Sequence, residues 1–566
     1  MSIDDQVIAP VANPLSISNS QPEATLNRYR QYRAPQNHGD ALIDPPLGEV
    51  DDWLTCNAAL SASHGPFWDS LRQRARASLI DDAIRYTSAY RDTSWVDRQA
   101  LDRGTLGPIL MAGHQPAIFH PGVWFKNFAL DHLARRCGGI GINLVIDNDV
   151  ASGSSVRVPS LNHSNRKSPG QPTEGEVHYE VVPYDDAGGG VPYEQTTVRR
   201  RDIFDRFDVA VTEAVAGIVD DPCVGKLWKH AKSAIERCGV AGCALAQARH
   251  GLEGELGLRT LELPLGVVCR TTAYAEFLLS ILTELPRFHH CYNDSADQYR
   301  SAHGIRSSAH PVPNLAVDDE WFEAPLWIYG NDSPERRPAW VRLSGDQLII
   351  SDRMGREGVR DRELRIDVRH PKLAAEQLAN LVSPNFKLRP RALVTTMYAR
   401  MVLSDLFLHG IGGGKYDQLG DEICTAFFGV KPLRFMVISA TVQLPGFVPD
   451  DHDQKIRRLR RSLRDIVYQP ERFADRVDLD PDLLARKVEL ISAVDVALDK
   501  KLWHREVESI NAKLSKQLVS MRSQLQAELV QVERSAAAQR LMASREHPFC
   551  IFPIDYLQRT FSKLLA

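Results

Sequence analysis

The sequence predicts an α/β protein, with a largely parallel sheet in its core and a long helical arm near its end. Three observations carry this expectation. Between Gly107 and about Pro449, short apolar runs alternate with helical stretches, the order that builds β-α-β layers. Past Asp451 the chain turns strongly helical, and from Val507 to Val532 apolar residues recur in an eleven-residue pattern. At 566 residues the chain also exceeds one hydrophobic core, so two or three structural units are expected.

Composition narrows the classes. Hydrophobic residues make up 43% and charged residues 25%, which suits a folded chain rather than a disordered one. Lys plus Arg number 68 against 72 for Asp plus Glu, leaving no overall attraction to nucleic acid or anionic lipid. The nine cysteines are scattered without a Cys-x-x-Cys pair, as expected of reduced thiols. Asp4 and Asp5 stand where a secretory signal would carry positive charge, and nowhere do 18 apolar residues run together. A cytoplasmic protein with neither membrane nor nucleic-acid partners is therefore expected.

Taken in order, residues 1–45 are rich in Pro, Ser, Asn and Gln and read as an extended lead-in. Residues 46–106 read as helical, because Phe67, Leu71, Ala75, Leu79, Ala83 and Tyr86 recur at steps of three or four and make one packing face. In the core, 107–450, "PILMAGHQ" reads as strand and turn, "PGVWFKNFALDHLARRC" as helix and "GINLVIDND" as the next strand. Further strands are expected at "LPLGVVCRT", "RALVTTM" and "LRFMVISAT". Residues 152–200 carry Gly, Ser and Pro and read as a loop-rich insertion. Residues 321–352 read as an antiparallel β insertion, with a tight turn at Ser344-Gly345-Asp346.

In the region 451–545 the run "KIRRLRRSLRDIV" reads as the solvated face of a helix, since no aromatic residues are interleaved. One longer helix is expected from about Pro481 to Met542. Its seam of Val507, Ile510, Leu514, Leu518, Met521, Leu525, Leu529 and Val532 repeats every eleven residues, which keeps a helix nearly straight. A protruding helical hairpin that packs on itself or on a second copy is expected. The tail, 546–566, is too apolar for a free end and is expected to dock on the core.

The candidate chemistry gathers at turns. Ligands of open parallel sheets bind beyond the carboxyl ends of strands, where the next helix presents unpaired N–H groups. Gly113, His114 and Gln115 fall there, and a helix N-terminus favours phosphate or carboxylate. The plainer alternative is that His114 caps the helix and Pro116 sets the turn. Asp147, Asn148 and Asp149 end the second strand at the same edge. They suit orienting an amine, holding a ribose hydroxyl or coordinating Mg²⁺, or simply capping the next element. In "HGIGGGKYDQLGDEI", residues 409–423, the glycines Gly410, Gly412 and Gly413 permit close backbone approach and Lys415 supplies a phosphate counter-charge. Neither the Walker pattern nor the dinucleotide fingerprint is met. "FHHCYND" lacks the separated ligand pairs of a zinc site, so no metal ligands are nominated.

Four stretches in this order, "GHQPAIFHPGVWFKNFAL", "LVIDND", "SPNFKLRPRALVTT" with "HGIGGGKYDQLGDEI", and the late helical region with its returning tail, give the chain a family likeness. Over about residues 107–566 it resembles the cysteine-adding enzymes of bacillithiol biosynthesis. The resemblance implies a Rossmann-like core related to nucleotidyl transferases and class I tRNA synthetases, and a coiled-coil arm that mediates homodimerisation. It implies a ligase that joins cysteine to a glucosamine-malate acceptor as an amide; the sequence does not name the cofactor, and ATP, ADP and Mg²⁺ are the candidates.

Gly113, Gln115, Phe119 and Lys126 match the family's first turn and helix. Asp147 and Asp149 match its acidic positions, and Asn385, Arg389, Pro390, Gly410 and Gly413 its later motif. His114 stands where glutamine is typical, Asn148 where histidine is usual, and Gly414 or Lys415 where a glutamate normally follows the glycines. The expected catalytic set is His114, Gln115, Lys126, Asp147 and Asp149. The expected binding set is Gly113, Asn148, Asn385, Arg389, Gly410, Gly412, Gly413 and Lys415. A nucleotidyl transferase of the same fold and a non-catalytic nucleotide-binding dimeric scaffold are the alternatives.

Overall fold

The structure, a computed structural model, describes residues 29–104, 107–161, 177–186, 188–353, 361–446, 451–494 and 499–566. Residues 1–28 of the expected lead-in lie outside the described residues; the remainder ends in a strand, β1 (Ala41–Asp44). The helix α1 (Pro66–Ser88) follows, with Leu71, Ala75, Leu79 and Ala83 buried as the periodicity predicts, although Phe67 at its start is exposed.

The predicted β-α-β unit forms. Strand β2 (Ile109–His114) leads through α2 (Pro121–Arg136) to β3 (Ile140–Val145), and the two strands pair in parallel. Ile109 and Met111 enter one hydrophobic layer while Leu110 and Ala112 enter the other. This period-two division is why an unbroken apolar run makes a strand buried on both faces. Helix α2 starts at Pro121, and His120 Nδ1 accepts from the Gly122 N–H at 3.1 Å. A Cβ on Gly122 would lie 2.0 Å from the Ala440 carbonyl oxygen, so only glycine lets the helix start this close to the sheet.

Three more strands complete the main sheet: β4 (Thr260–Pro264), β5 (Leu406–His409) and β6 (Phe435–Ala440). Spatial order is β1-β6-β5-β2-β3-β4; β1 is antiparallel to β6 and every other neighbouring pair is parallel. The helix α3 (Ala241–Glu255) precedes β4, and α4 (Ile411–Phe428) follows β5. The chain is thus a mixed α/β protein with a parallel-strand sheet.

Several expectations are corrected. The strand sought in "LPLGVVCRT" lies earlier, because Pro264 ends it and Leu265–Val268 is a helical turn. "RALVTTM" is helix, Ala392–Tyr398, running into a π-helical turn at Ala399–Leu403; a short buried apolar run fits either element. The glycines after His409 form no loop: Gly410 caps α4 and Gly412 and Gly413 lie in its first turn. Residues 152–200 contain a two-stranded pair, Ser155–Leu161 with Val177–Pro183, while 162–176 lie outside the described residues.

The antiparallel insertion is present and larger than expected. Trp321–Gly330, Ser333–Ser344 and Gln347–Ser351 are joined by Glu363–Asp367 on one edge and by Lys387–Pro390 on the other. Gly345 takes φ 56° at the tight turn.

Past residue 451 come α5 (His452–Tyr468), α6 (Pro481–Ser492), α7 (Lys500–Gln517) and α8 (Val519–Met542). The single long helix expected from Pro481 is therefore three, with residues 495–498 outside the described residues and a break at Leu518. Ile510, Leu514 and Leu518 are buried against Ile466 and Phe473, with Val507, Met521 and Leu525 alongside. From Val507 to Leu525 the seam packs within the chain. No helix among the described residues is long and apolar enough to cross a membrane.

The tail returns to the core. Phe549, Phe552 and, from α9 (Ile554–Leu565), Leu557 and Phe561 are buried with the outer face of α2. The Phe549 ring lies 4.4 Å from that of Trp124, and its N–H donates to the Phe119 carbonyl at 2.8 Å. Truncating a buried phenylalanine removes its transfer energy and leaves a cavity. Phe549→Ala is expected to cost about 3–5 kcal/mol, measured from the midpoint of chemical denaturation.

Candidate active site

The order of the sheet places the site. From β2 the chain moves outward to β3 and then β4, whereas the later strand β5 lies on the opposite side of β2. A reversal of this kind leaves a crevice beyond the carboxyl ends of the two strands, where ligands of open α/β sheets bind. His114 ends β2 and His409 ends β5. The N-terminus of α2 follows the first strand and that of α4 the second.

Around β2 the groups are close and mostly uncharged. Lys126, 2% exposed, extends from α2 to donate to the Gly113 carbonyl at 2.6 Å. Burial, then the nearby Arg249 guanidinium, lowers its pKa to about 7. His114 is pushed down to about 3 by burial and by the Lys126 ammonium, so its imidazole is neutral at physiological pH. Its Nδ1 lies 2.7 Å from the Gln115 carbonyl oxygen, and its ring packs edge-on against Phe119. Gln115 Nε2 donates to Asp149 Oδ2 at 2.9 Å, which ties the first turn to the acidic stretch after β3.

A second cluster sits at the ends of β3 and β4. The backbone N–H groups of Tyr193 and Glu194 donate to the carbonyls of Asp149 and Asp147, at 2.9 and 2.8 Å, and these bonds bring the Glu194 carboxylate to the site. It accepts from Arg389 Nε at 2.9 Å and Nη2 at 3.1 Å and from the Tyr329 hydroxyl at 2.6 Å, with Lys387 at 3.3 Å. Burial opposes ionisation, yet Arg389 and Lys387 hold Glu194 below the usual carboxylate range. Asp147 goes the other way: burial and the Glu194 charge raise it to about 7, against the pull of Arg389. Its Oδ1 accepts from the Gly266 N–H at 3.0 Å.

The remaining nominated residues divide. Asn148 is buried and donates to the Pro390 carbonyl at 2.8 Å. Asp149 Oδ1 accepts from Arg336 at 3.1 Å and from the Val150 N–H at 2.8 Å. With Asp149 so engaged and Asp147 beside Glu194 and Arg389, the pair is poorly disposed to hold Mg²⁺; among the described residues no group of three or more His, Cys, Asp or Glu could hold a metal ion. Lys415 is exposed on α4 and Asn385 stands on an exposed turn against Gly330. Gln115 and Asp149 therefore bond directly, Lys126 reaches the same turn through the Gly113 carbonyl next to His114, and Asp147 and Arg389 meet around Glu194, while Asn385 and Lys415 stand at exposed positions.

Sequence reasoning missed Glu194, Tyr329 and Arg336, which lie in the two insertions and carry no motif, and it passed over Lys387 within the stretch "SPNFKLRP". It also passed over His409, whose signal was its place directly before the glycines. The largest cavity described, about 760 Å³, opens elsewhere, beside Ile109 and Asp405, where β2 and β5 begin.

No protein-family model matches the chain, and no curated protein matches it either.

The raised Asp147 makes a test in solution. Below about pH 4 this carboxyl is protonated in both folded and unfolded chains. As pH rises toward 7 the unfolded chain releases the proton first, so the group's contribution to stability falls through that window. Asp147→Asn removes the penalty and keeps an acceptor for Gly266. The variant is expected to gain thermal stability over the wild type at pH 8 and none at pH 4.

Proposed function

We propose that the chain is a ligase that forms a carbon–nitrogen bond between an amino acid such as cysteine and an amino-sugar acceptor, driven by a nucleotide, on a Rossmann-like core. The observation that carries this reading is the reversal of strand order at β2 and β5, the position at which ligands of open α/β sheets bind. Two helix N-termini follow the strands that flank it, and the buried Lys126 has no carboxylate partner among the described residues.

N–H groups at the start of α4 suit the phosphates of a nucleotide. Lys126, titrating near neutrality, offsets the charge that grows on them, and neutral His114 donates or accepts without adding charge. Asp147, raised to about 7 by burial and by Glu194, is suited to hydrogen-bond and orient an incoming amine. Arg389, nominated as a phosphate ligand, is occupied by Glu194 and acts here by fixing that carboxylate beside Asp147.

Nucleotidyl transfer is the second reading. It is favoured by His114, an imidazole at the end of β2 that burial and Lys126 keep neutral and that is suited to stabilise a triphosphate without adding charge. For assembly we propose a homodimer through a coiled-coil arm, supported by Tyr468, Val488 and Leu502, which are 65%, 64% and 62% exposed on the helical region.

The test is binding followed by product analysis. Thermal shift is run with ATP, ADP, cysteine and glucosamine-malate, each with and without Mg²⁺. A ligand at a hundred times its Kd stabilises by about 2.7 kcal/mol, so ATP should raise the melting temperature of the wild type and not of Lys126→Met. AMP or ADP appearing with a new amide supports ligation. Pyrophosphate with a nucleotidylated product supports transfer, and the absence of any shift in a folded protein overturns both.

A further inference from the structure

His409 has the arrangement of a proton acceptor. It is 4% exposed and ends β5, with its ring between Phe407 and Phe435 at centroid distances of 4.6 and 5.0 Å. Nε2 lies 2.9 Å from Asp417 Oδ2, one and a half turns into α4. Asp417 is itself only 2% exposed, and Arg400 and the Thr396 hydroxyl donate to it. Burial opposes its ionisation, but Arg400 and His409 hold it well below the usual carboxylate range. A carboxylate that is ionised at neutral pH can only accept, so the ring proton sits on Nε2 and Nδ1 is left with a bare lone pair.

That second nitrogen makes no hydrogen bond to the described residues, and it faces the first turn of α4. A Cβ placed on Gly413 would stand 2.6 Å from Nδ1. Glycine at 413 thus lets the first turn of α4 lie close against the Nδ1 side of the ring, where a side chain would collide with it. Burial lowers the pKa of the ring; of the charged groups that act on it, Asp417 favours the imidazolium and Arg400 and Lys126 oppose it.

We propose that His409 and Asp417 form a proton-accepting pair at the N-terminus of α4: Asp417 fixes the Nε2–H tautomer, and His409 Nδ1 takes the proton of the attacking amine. The assignment rests on the ligase reading. The amine lone pair forms the C–N bond to a carboxyl carbon activated as a phosphoric anhydride by a nucleoside triphosphate. The C–O bond to phosphate breaks, its electron pair leaves with the phosphate, and one N–H proton passes to Nδ1. Asp417 then faces an imidazolium, the charge it is placed to stabilise. His409 is the catalytic residue of the pair and Asp417 the positioning residue.

Two measurements on the full chain test this. Histidine ¹⁵N NMR, assigned with His409→Gln, should show the Nε2–H tautomer in the wild type and its loss of fixed character in Asp417→Asn; an Nδ1–H tautomer in the wild type overturns the proposal without any substrate. In the amide-forming assay with ATP, cysteine and glucosamine-malate, His409→Gln should lower kcat about 10²–10⁴-fold while the ATP-induced thermal shift persists. Asp417→Asn should lower kcat and displace the acidic limb of the pH profile; because it keeps side-chain size, it carries the test if His409→Gln fails to fold. Wild-type turnover with His409→Gln within threefold of it overturns the proposal and leaves the ligase reading intact. A folded wild type that binds ATP and makes no amide overturns the ligase reading, and this role for His409 with it.

Discussion

Charge buried at the carboxyl edge of the sheet must be matched or neutralised, and much of the surrounding architecture follows from how this is done. Glu194 is matched, by a bidentate Arg389 and by Lys387 and Tyr329, all from the β insertion or the strand that joins it. Asp149, whose side chain is more exposed, pairs at the rim with Arg336 from the same insertion. These contacts hold the insertion over the ends of β3 and β4. A buried ion pair contributes little net stability against a hydrophobic replacement, but losing one partner strands the other. Their effect is therefore to specify where the insertion sits.

A second buried network fixes the helix that carries Lys126. Arg249 bridges Glu253 and Glu262, both fully buried, and Glu253 Oε1 accepts from Trp124 Nε1 and Asn127 Nδ2 at 2.8 and 2.7 Å. Trp124 and Asn127 flank Lys126 on α2, so the rotation of that helix is set from below by two side-chain hydrogen bonds. The same Arg249 charge helps lower the proton affinity of Lys126. An unmatched lysine next to a matched arginine is a stable arrangement only because the lysine can give up its proton.

The parts that were legible in the sequence are those where local pattern and burial agree. Strand β2, helix α2 and strand β3 each keep one period throughout, and their turn residues fall at the sheet edge that defines the crevice. Strand β5 was hidden because it has four residues and follows a buried helix whose Leu393, Val394 and Met397 look like a strand. The glycines at 412 and 413 suggested a loop, yet a helix tolerates them in its first turn, where His409 needs the space. Glu194 and Arg336 could not be found, because their placement depends on backbone contacts between segments far apart in the chain. The seam from Val507 to Leu525 was legible, and its interruption at Leu518 was not, since the apolar spacing continues across the break.

The docking of the tail has a consequence for biosynthesis. The outer face of α2 carries Trp124, Phe125 and Phe128, and the rings that cover it, Phe549 and Phe561, emerge from the ribosome hundreds of residues later. Until then the nascent chain displays an aromatic surface on the helix that bears Lys126. Contacts so distant in sequence close late and slowly, so the chain depends on its surroundings to keep that face from sticking elsewhere while the last segment is made.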